Sequence, residues 1–229
     1  MRWSERRPAL QVFYGGTFDP IHNAHLAIAR GARDALGATV ALVPAADPPH
    51  RPPPGASAEQ RARMVALAIA GQPGLRLDRR ELERAAVCPQ QPSYTVDTLA
   101  GLRAESGPQQ PLAWLIGGDS LATLSQWHRW QALFELAHVV VVARPGSPVP
   151  PDLSAALRAC VRGGGWTADA GQLHAWPAGC LYSLPLPLHA GSATAVRRAV
   201  AAGQAVDGLV PAPVADFLAT HRLYRLHGA

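Results

Sequence analysis

Two histidines three residues apart, His22 and His25, close the run G-G-T-F-D-P-I-H-N-A-H over residues 15–25, which opens with Gly15 and Gly16. Side chains at i and i+3 of a helix share a face. If a helix starts here, both imidazoles can donate hydrogen bonds to the oxygens of one anion. Glycines ahead of such a start let the backbone approach a ligand closely. The first-turn N–H groups and helix dipole favour negative charge by roughly 0.3–1 kcal/mol at exposed sites. The combination reads as a polyphosphate site. Taken in isolation, the pair has a plainer alternative in which one histidine caps the helix and the other packs. Zinc is a weaker reading still, because no third ligand of zinc type lies close in sequence.

The rest of the composition narrows the chemistry. There is no Lys: all 21 basic residues are Arg, against 16 acidic ones, and the formal charge is +5. A Schiff base and a P-loop Lys are therefore excluded, and any phosphate clamp must use Arg, His or backbone. The mild positive charge favours anionic small molecules such as nucleotides and gives no case for a nucleic-acid partner. Cys88, Cys160 and Cys180 are an odd number without C-x-x-C spacing, which reads as reduced thiols in a cytoplasmic protein. The basic N-terminus leads only into a strand-length apolar run. No apolar stretch is long enough to span a bilayer, so a soluble chain with no membrane partner is expected.

Elements must then hold these residues in place. Apolar runs at 10–14, 39–43, 112–116 and 139–143, with a weaker one at 75–77, predict five strands. Helical spacing predicts helices over 23–36, 94–105 and, in two pieces, 121–137, and Ser57 with Gln60 forms a capping box for a helix running to residue 70. Residues 181–188 carry Pro185 and Pro187, which suits an edge strand or an extended connection. Helices over 194–202 and 214–220 follow. The expectation is an α/β fold, a Rossmann-like doubly wound parallel sheet, in a single domain of residues 1–229. Residues 145–177, with a helix expected at 153–161 and three consecutive glycines, are read as a variable insertion.

At this point the motifs acquire a family. Residues 15–25 resemble the G-G-x-F-D-P-x-H-x-G-H signature of the nucleotidylyltransferases, with Ala24 where the last Gly usually stands. A helical Ala is comfortable there, so tighter packing without loss of function is expected. Residues 191–197, G-S-A-T-A-V-R, resemble the family's I-S-S-T-x-I-R, with Gly191 and Ala193 changed, and residues 48–51, P-P-H-R, resemble its P-P-H-[KR]. The resemblance implies that His22, His25 and Arg197 carry catalysis. It implies that ATP is held by Gly15, Gly16, Thr17, Phe18, Arg51, Gly117, Asp119, Arg144, Ser192 and Thr194. Read without the family, Ser192 and Thr194 are ordinary helix caps, Arg197 is a surface Arg and Arg51 is solvated in a Pro-rich loop.

Further stretches resemble the nicotinate branch of that family: P-S-Y-T-V-D-T at 92–98, G-G-D-S-L at 117–121, Trp127, and the closing segment from Leu209 to Tyr224. They imply mononucleotide binding by Ser93, Tyr94, Thr95 and Trp127. Thr95 and nearby N–H groups suit a pyridine carboxylate, Trp127 offers the ring a flat face, and Asp119 just past a strand suits ribose hydroxyls. The plain alternatives make Trp127, His128 and Trp130 a helix packing face and Asp119 an N-cap. The implied reaction moves AMP from ATP to nicotinate mononucleotide, with Mg²⁺ riding on the ATP and no metal ligand from the protein. The same chemistry on nicotinamide mononucleotide or phosphopantetheine, and a catalytically dead nucleotide sensor, are the rivals; a homo-oligomer is left open.

Overall fold

A computed structural model describes residues 8–46, 54–90, 92–143 and 145–225. In chain order these form β1 (Gln11–Gly16), α1 (Asn23–Leu36), β2 (Thr39–Pro44), α2 (Ala58–Ile69), β3 (Leu75–Leu77), α3 (Arg80–Val87), α4 (Thr95–Ser106), β4 (Leu112–Gly117), α5 (Gly118–Ala122), α6 (Leu133–Leu136), β5 (His138–Val142), α7 (Ala155–Cys160), α8 (Gln172–Ala175), β6 (Leu181–Leu184), α9 (Ala193–Ala201) and α10 (Ala212–Thr220). The strands are ordered β3-β2-β1-β4-β5-β6, the sequence of positions in a Rossmann sheet. The expected α/β class and parallel sheet hold. Val40 pairs with Leu75, Trp114 with Val139 and Val140 with Tyr182, each in a parallel register.

Two compact units make up the chain. One comprises the segment ending at Phe13, Ala32–Thr39 and Tyr94–Leu186; the other comprises Tyr14–Gly31, Val40–Ser93 and the segment from Pro187 onward. In the first unit every residue of β4 and β5 is buried, as the near-continuous apolar runs of a parallel sheet require. Residues 145–177 are packed onto that core: Leu153, Leu157 and Leu173 are buried, and the Thr167 N–H donates to the Leu181 carbonyl (2.8 Å). His138, fully buried at the head of β5, accepts the Cys180 N–H at Nδ1 (3.0 Å) and meets the Trp176 carbonyl through Nε2 (2.8 Å). Burial pushes its pKa down to about 4, so it stays neutral and works as a two-ended tie.

In the second unit, α2 begins with the expected capping box: Ser57 Oγ accepts from the Gln60 N–H (3.2 Å) and Gln60 Oε1 from the Ser57 N–H (2.9 Å). Two sequence expectations change and a third is met. The expected pair of helices over 121–137 is replaced by α5, α6 and two short 3-10 turns, because Trp127 is extended (φ −74°, ψ 146°) and Arg129 left-handed (φ 48°). Helix α3 is present where none was expected. The edge strand expected after residue 181 is present as β6, last in the sheet order, and stops at Leu184, ahead of Pro185, whose missing N–H cannot extend a ladder. Among the described residues no helix is long and apolar enough to cross a membrane.

Candidate functional site

The second unit gathers the residues of the 15–25 run. Gly15 and Gly16 end β1, and the chain then turns at Phe18 with a positive φ of 50°. The Phe18 ring lies buried and edge-on to Tyr14 (5.6 Å) and His25 (5.0 Å). A Cβ on Gly16 would come within 2.9 Å of that ring. Glycine is needed at 16 for packing, and what Phe18 leaves for a ligand is its backbone.

His22 and His25 are buried, 5% and 9% exposed, and their rings stack at 3.6 Å with 22° between planes. The His22 N–H donates to Nδ1 of His25 (3.3 Å). An accepting Nδ1 keeps the neutral ring's proton on Nε2, which makes His25 a donor on its far side. The backbone at this helix start is less generous than the sequence suggested. The Asn23 N–H goes to the Leu209 carbonyl (2.9 Å), and the N–H groups of His25 and Leu26 go to the His22 carbonyl. Donation to an anion therefore shifts towards the imidazoles.

Asp19 is the hub of the same run. Its carboxylate accepts the N–H groups of Gly55 (2.9 Å) and Ala56 (3.1 Å) and the phenol of Tyr224 (2.6 Å). Burial first, and then the hydrogen bond to Asp19, hold the Tyr224 phenol well above the usual tyrosine range, so it remains a proton donor. Arg197 Nη1 donates to the Asp19 carbonyl (2.6 Å) and lies 3.7 Å from its carboxylate, while Nη2 reaches Thr194 Oγ1 (3.3 Å). Ser192 caps α9 through the Ala195 N–H (3.1 Å). The ordinary capping reading of Ser192 is thus met, and Arg197 is nonetheless brought to the histidine-bearing turn.

Two of the three departures from the family pattern, Gly191 and Ala24, touch. Gly191 has φ 152°, and a Cβ there would lie 3.2 Å from the Ala24 methyl and 3.6 Å from His22 Nδ1. Ala24 fills the space that a side chain at 191 would need.

Arg51 and Arg144, with Pro48, Pro49 and His50, lie outside the described residues. Ser93, in the second unit, accepts from Arg84 Nη2 (2.7 Å). The first unit holds the other expected mononucleotide residues. Thr95 is the first residue of α4, after Tyr94, which occupies the N-cap without a side-chain capping bond and lies with its ring 4.4 Å from that of His128, tilted by 30°. Trp127 is half-buried between the two 3-10 turns, which removes the alternative of a helical packing face. Gly117 is the N-cap of α5, so Asp119 sits inside the first turn with an exposed side chain and is not the cap. Among the described residues no group of three or more His, Cys, Asp or Glu could hold a metal ion.

Sequence reasoning missed Arg61 and Arg84. Arg61 carried a signal: it falls on the same helical stripe as Met64, Val65 and Ala68, where a charge is out of place unless it is bonded.

Comparison with known proteins supplies the family of the chain. The cytidylyltransferase-like family model matches residues 13–199. Two curated relatives, from Stenotrophomonas maltophilia (strain K279a) and Xylella fastidiosa (strain 9a5c), both carry the name "Probable nicotinate-nucleotide adenylyltransferase". The first is 54% identical over 95% of this chain and 97% of its own, the second 46% over 96% and 98%. In fold, the chain is similar to the Plasmodium falciparum nicotinic acid mononucleotide adenylyltransferase complexed with NaAD, with a TM-score of 0.68 at 15% identity over 94% of this chain and 97% of that one. The chain belongs to the cytidylyltransferase-like family, and within it to the nicotinate-nucleotide adenylyltransferases.

Proposed function

We propose that this chain transfers the adenylyl group of ATP to nicotinate mononucleotide, giving deamido-NAD and pyrophosphate as a step of NAD biosynthesis. The observation that carries the proposal is the buried, stacked His22–His25 pair, with Arg197 tied to the same turn through Asp19. ATP enters as its Mg²⁺ complex. In this reading the ion would ride on the triphosphate and help to balance its charge.

The acceptor's 5′-phosphate is already a nucleophile. Its oxygen bonds to the α-phosphorus as the bond to the β-phosphate oxygen breaks, and the electron pair leaves with pyrophosphate. No base and no covalent intermediate are needed; catalysis is positioning plus charge stabilisation. His25 donates through Nε2, and His22, Arg197 and Arg51 supply the remaining charge. Gly15, Gly16, Thr17 and Phe18 offer backbone to ATP, Ser192 and Thr194 hold α9 and Arg197, and Gly117, Asp119 and Arg144 serve the nucleotide. Thr95, at the start of α4, receives the pyridine carboxylate. Trp127 faces the pyridine ring, and Ser93 and Tyr94 complete that side. We read residues 1–229 as one functional domain with 145–177 as its variable part, working in the cytoplasm on small molecules.

Pyrophosphate release from MgATP tests this directly. Release should require a mononucleotide and be faster with the nicotinate than with the nicotinamide form. A preference for the nicotinamide form would overturn the substrate assignment, and ATP binding without release would favour a sensor.

A further inference from the structure

Arg61 has no exposed surface. A guanidinium is costly to bury unless its N–H groups are bonded, and this one spreads its fork over four backbone carbonyls. Nη1 donates to Thr17 (2.7 Å) and Ala45 (2.6 Å), Nη2 to Ala46, and Nε to Ala56 (3.3 Å). Thr17 belongs to the turn between β1 and α1, while Ala45 and Ala46 follow β2 and Ala56 precedes α2. The preceding peptide is held too, since the Gly16 carbonyl accepts the Ala45 N–H (2.9 Å).

A trans peptide points its C=O and N–H in opposite directions. Fixing the carbonyls of Gly16 and Thr17 therefore aims the N–H groups of Thr17 and Phe18 away from the residues that hold those carbonyls. We propose that Arg61 is a positioning residue for the phosphate-binding turn, setting the Thr17 and Phe18 N–H groups as the backbone donors to ATP without touching it. The inference rests on the adenylyl-transfer reading of the turn. It also answers where the backbone donors are, given that Asn23, His25 and Leu26 spend theirs on protein carbonyls. Arg suits the task because its planar fork reaches acceptors on several sides, whereas an ammonium is a single point.

The test compares the wild type with Arg61→Lys and Arg61→Met, measuring KM for MgATP, KM for nicotinate mononucleotide, kcat and the melting temperature. Arg61→Lys keeps the charge and decides the matter if Arg61→Met fails to fold. The expected result is a loss of about tenfold or more in kcat/KM for MgATP, with KM for the mononucleotide within about twofold of wild type. Unchanged constants, or a parallel loss for both substrates in step with melting temperature, would overturn the proposal. Should the wild type release no pyrophosphate, the adenylyl-transfer reading fails by itself. Calorimetric ATP affinity then decides for Arg61: about tenfold weaker binding by Arg61→Lys supports the positioning role, and equal binding refutes it.

Discussion

Arg61 in the second unit and Arg103 in the first solve the same physical problem for different ends. Each satisfies a guanidinium with backbone carbonyls. Arg103 donates to the carbonyls of Gly107, Gln110, Leu136 and Pro177, which close the end of α4 and the approaches to β4 and β5. Burial lowers its pKa, yet an Arg begins so high that the charge persists. The acceptors of Arg61 include Thr17, inside the run that carries the histidines. A shared mode of bonding thus yields a frame residue in one unit and a positioning residue in the other. In a chain without Lys, Arg is the permanent cation for both tasks.

The contrast can be broken by substitution. Arg103→Met should strip the segment after α4, the end of α6 and the Pro177 segment of their shared donor and cost about 2–3 kcal/mol of stability, read from denaturant midpoints. Its kcat and both KM values at a temperature where it is folded should match the wild type; a selective rise in KM for MgATP would erase the distinction from Arg61. A smaller effect should appear at the touching pair Ala24 and Gly191. Gly191→Ala should destabilise, through its positive φ and the 3.2 Å approach to Ala24, and Ala24→Gly should recover the contact part. The expected coupling is about 0.5–1 kcal/mol across the double-mutant cycle. Strictly additive midpoints would show that these two of the three departures are independent.

Much of this frame was readable from local sequence. Helix α1 runs over the expected 23–36 because apolar spacing and a closing Gly37 agree, and β3 matches its three expected residues. The capping box at Ser57 needs only residues three apart. What escaped depends on distant partners. Helix α3, R-E-L-E-R-A-A-V, is only eight residues long, buries only Glu81 and Leu82 and has no side-chain cap to mark its start. The stretch after Leu121 breaks at Arg129, whose left-handed backbone no local pattern announces. At the candidate site, the histidine pair and the capping Ser192 were legible from spacing. The inward ring of Phe18, the Asp19–Tyr224 bond across 205 positions and the four carbonyls of Arg61 were not, since each joins segments far apart in sequence.

The histidine pair remains the centre of the account, and His25→Ala tests it most directly. Steady-state turnover and mononucleotide affinity should be measured on the same preparation. Turnover should fall by a factor on the order of 10²–10³, the usual cost of losing one transition-state donor, with mononucleotide affinity close to wild type. Near-normal turnover in His25→Ala would contradict it.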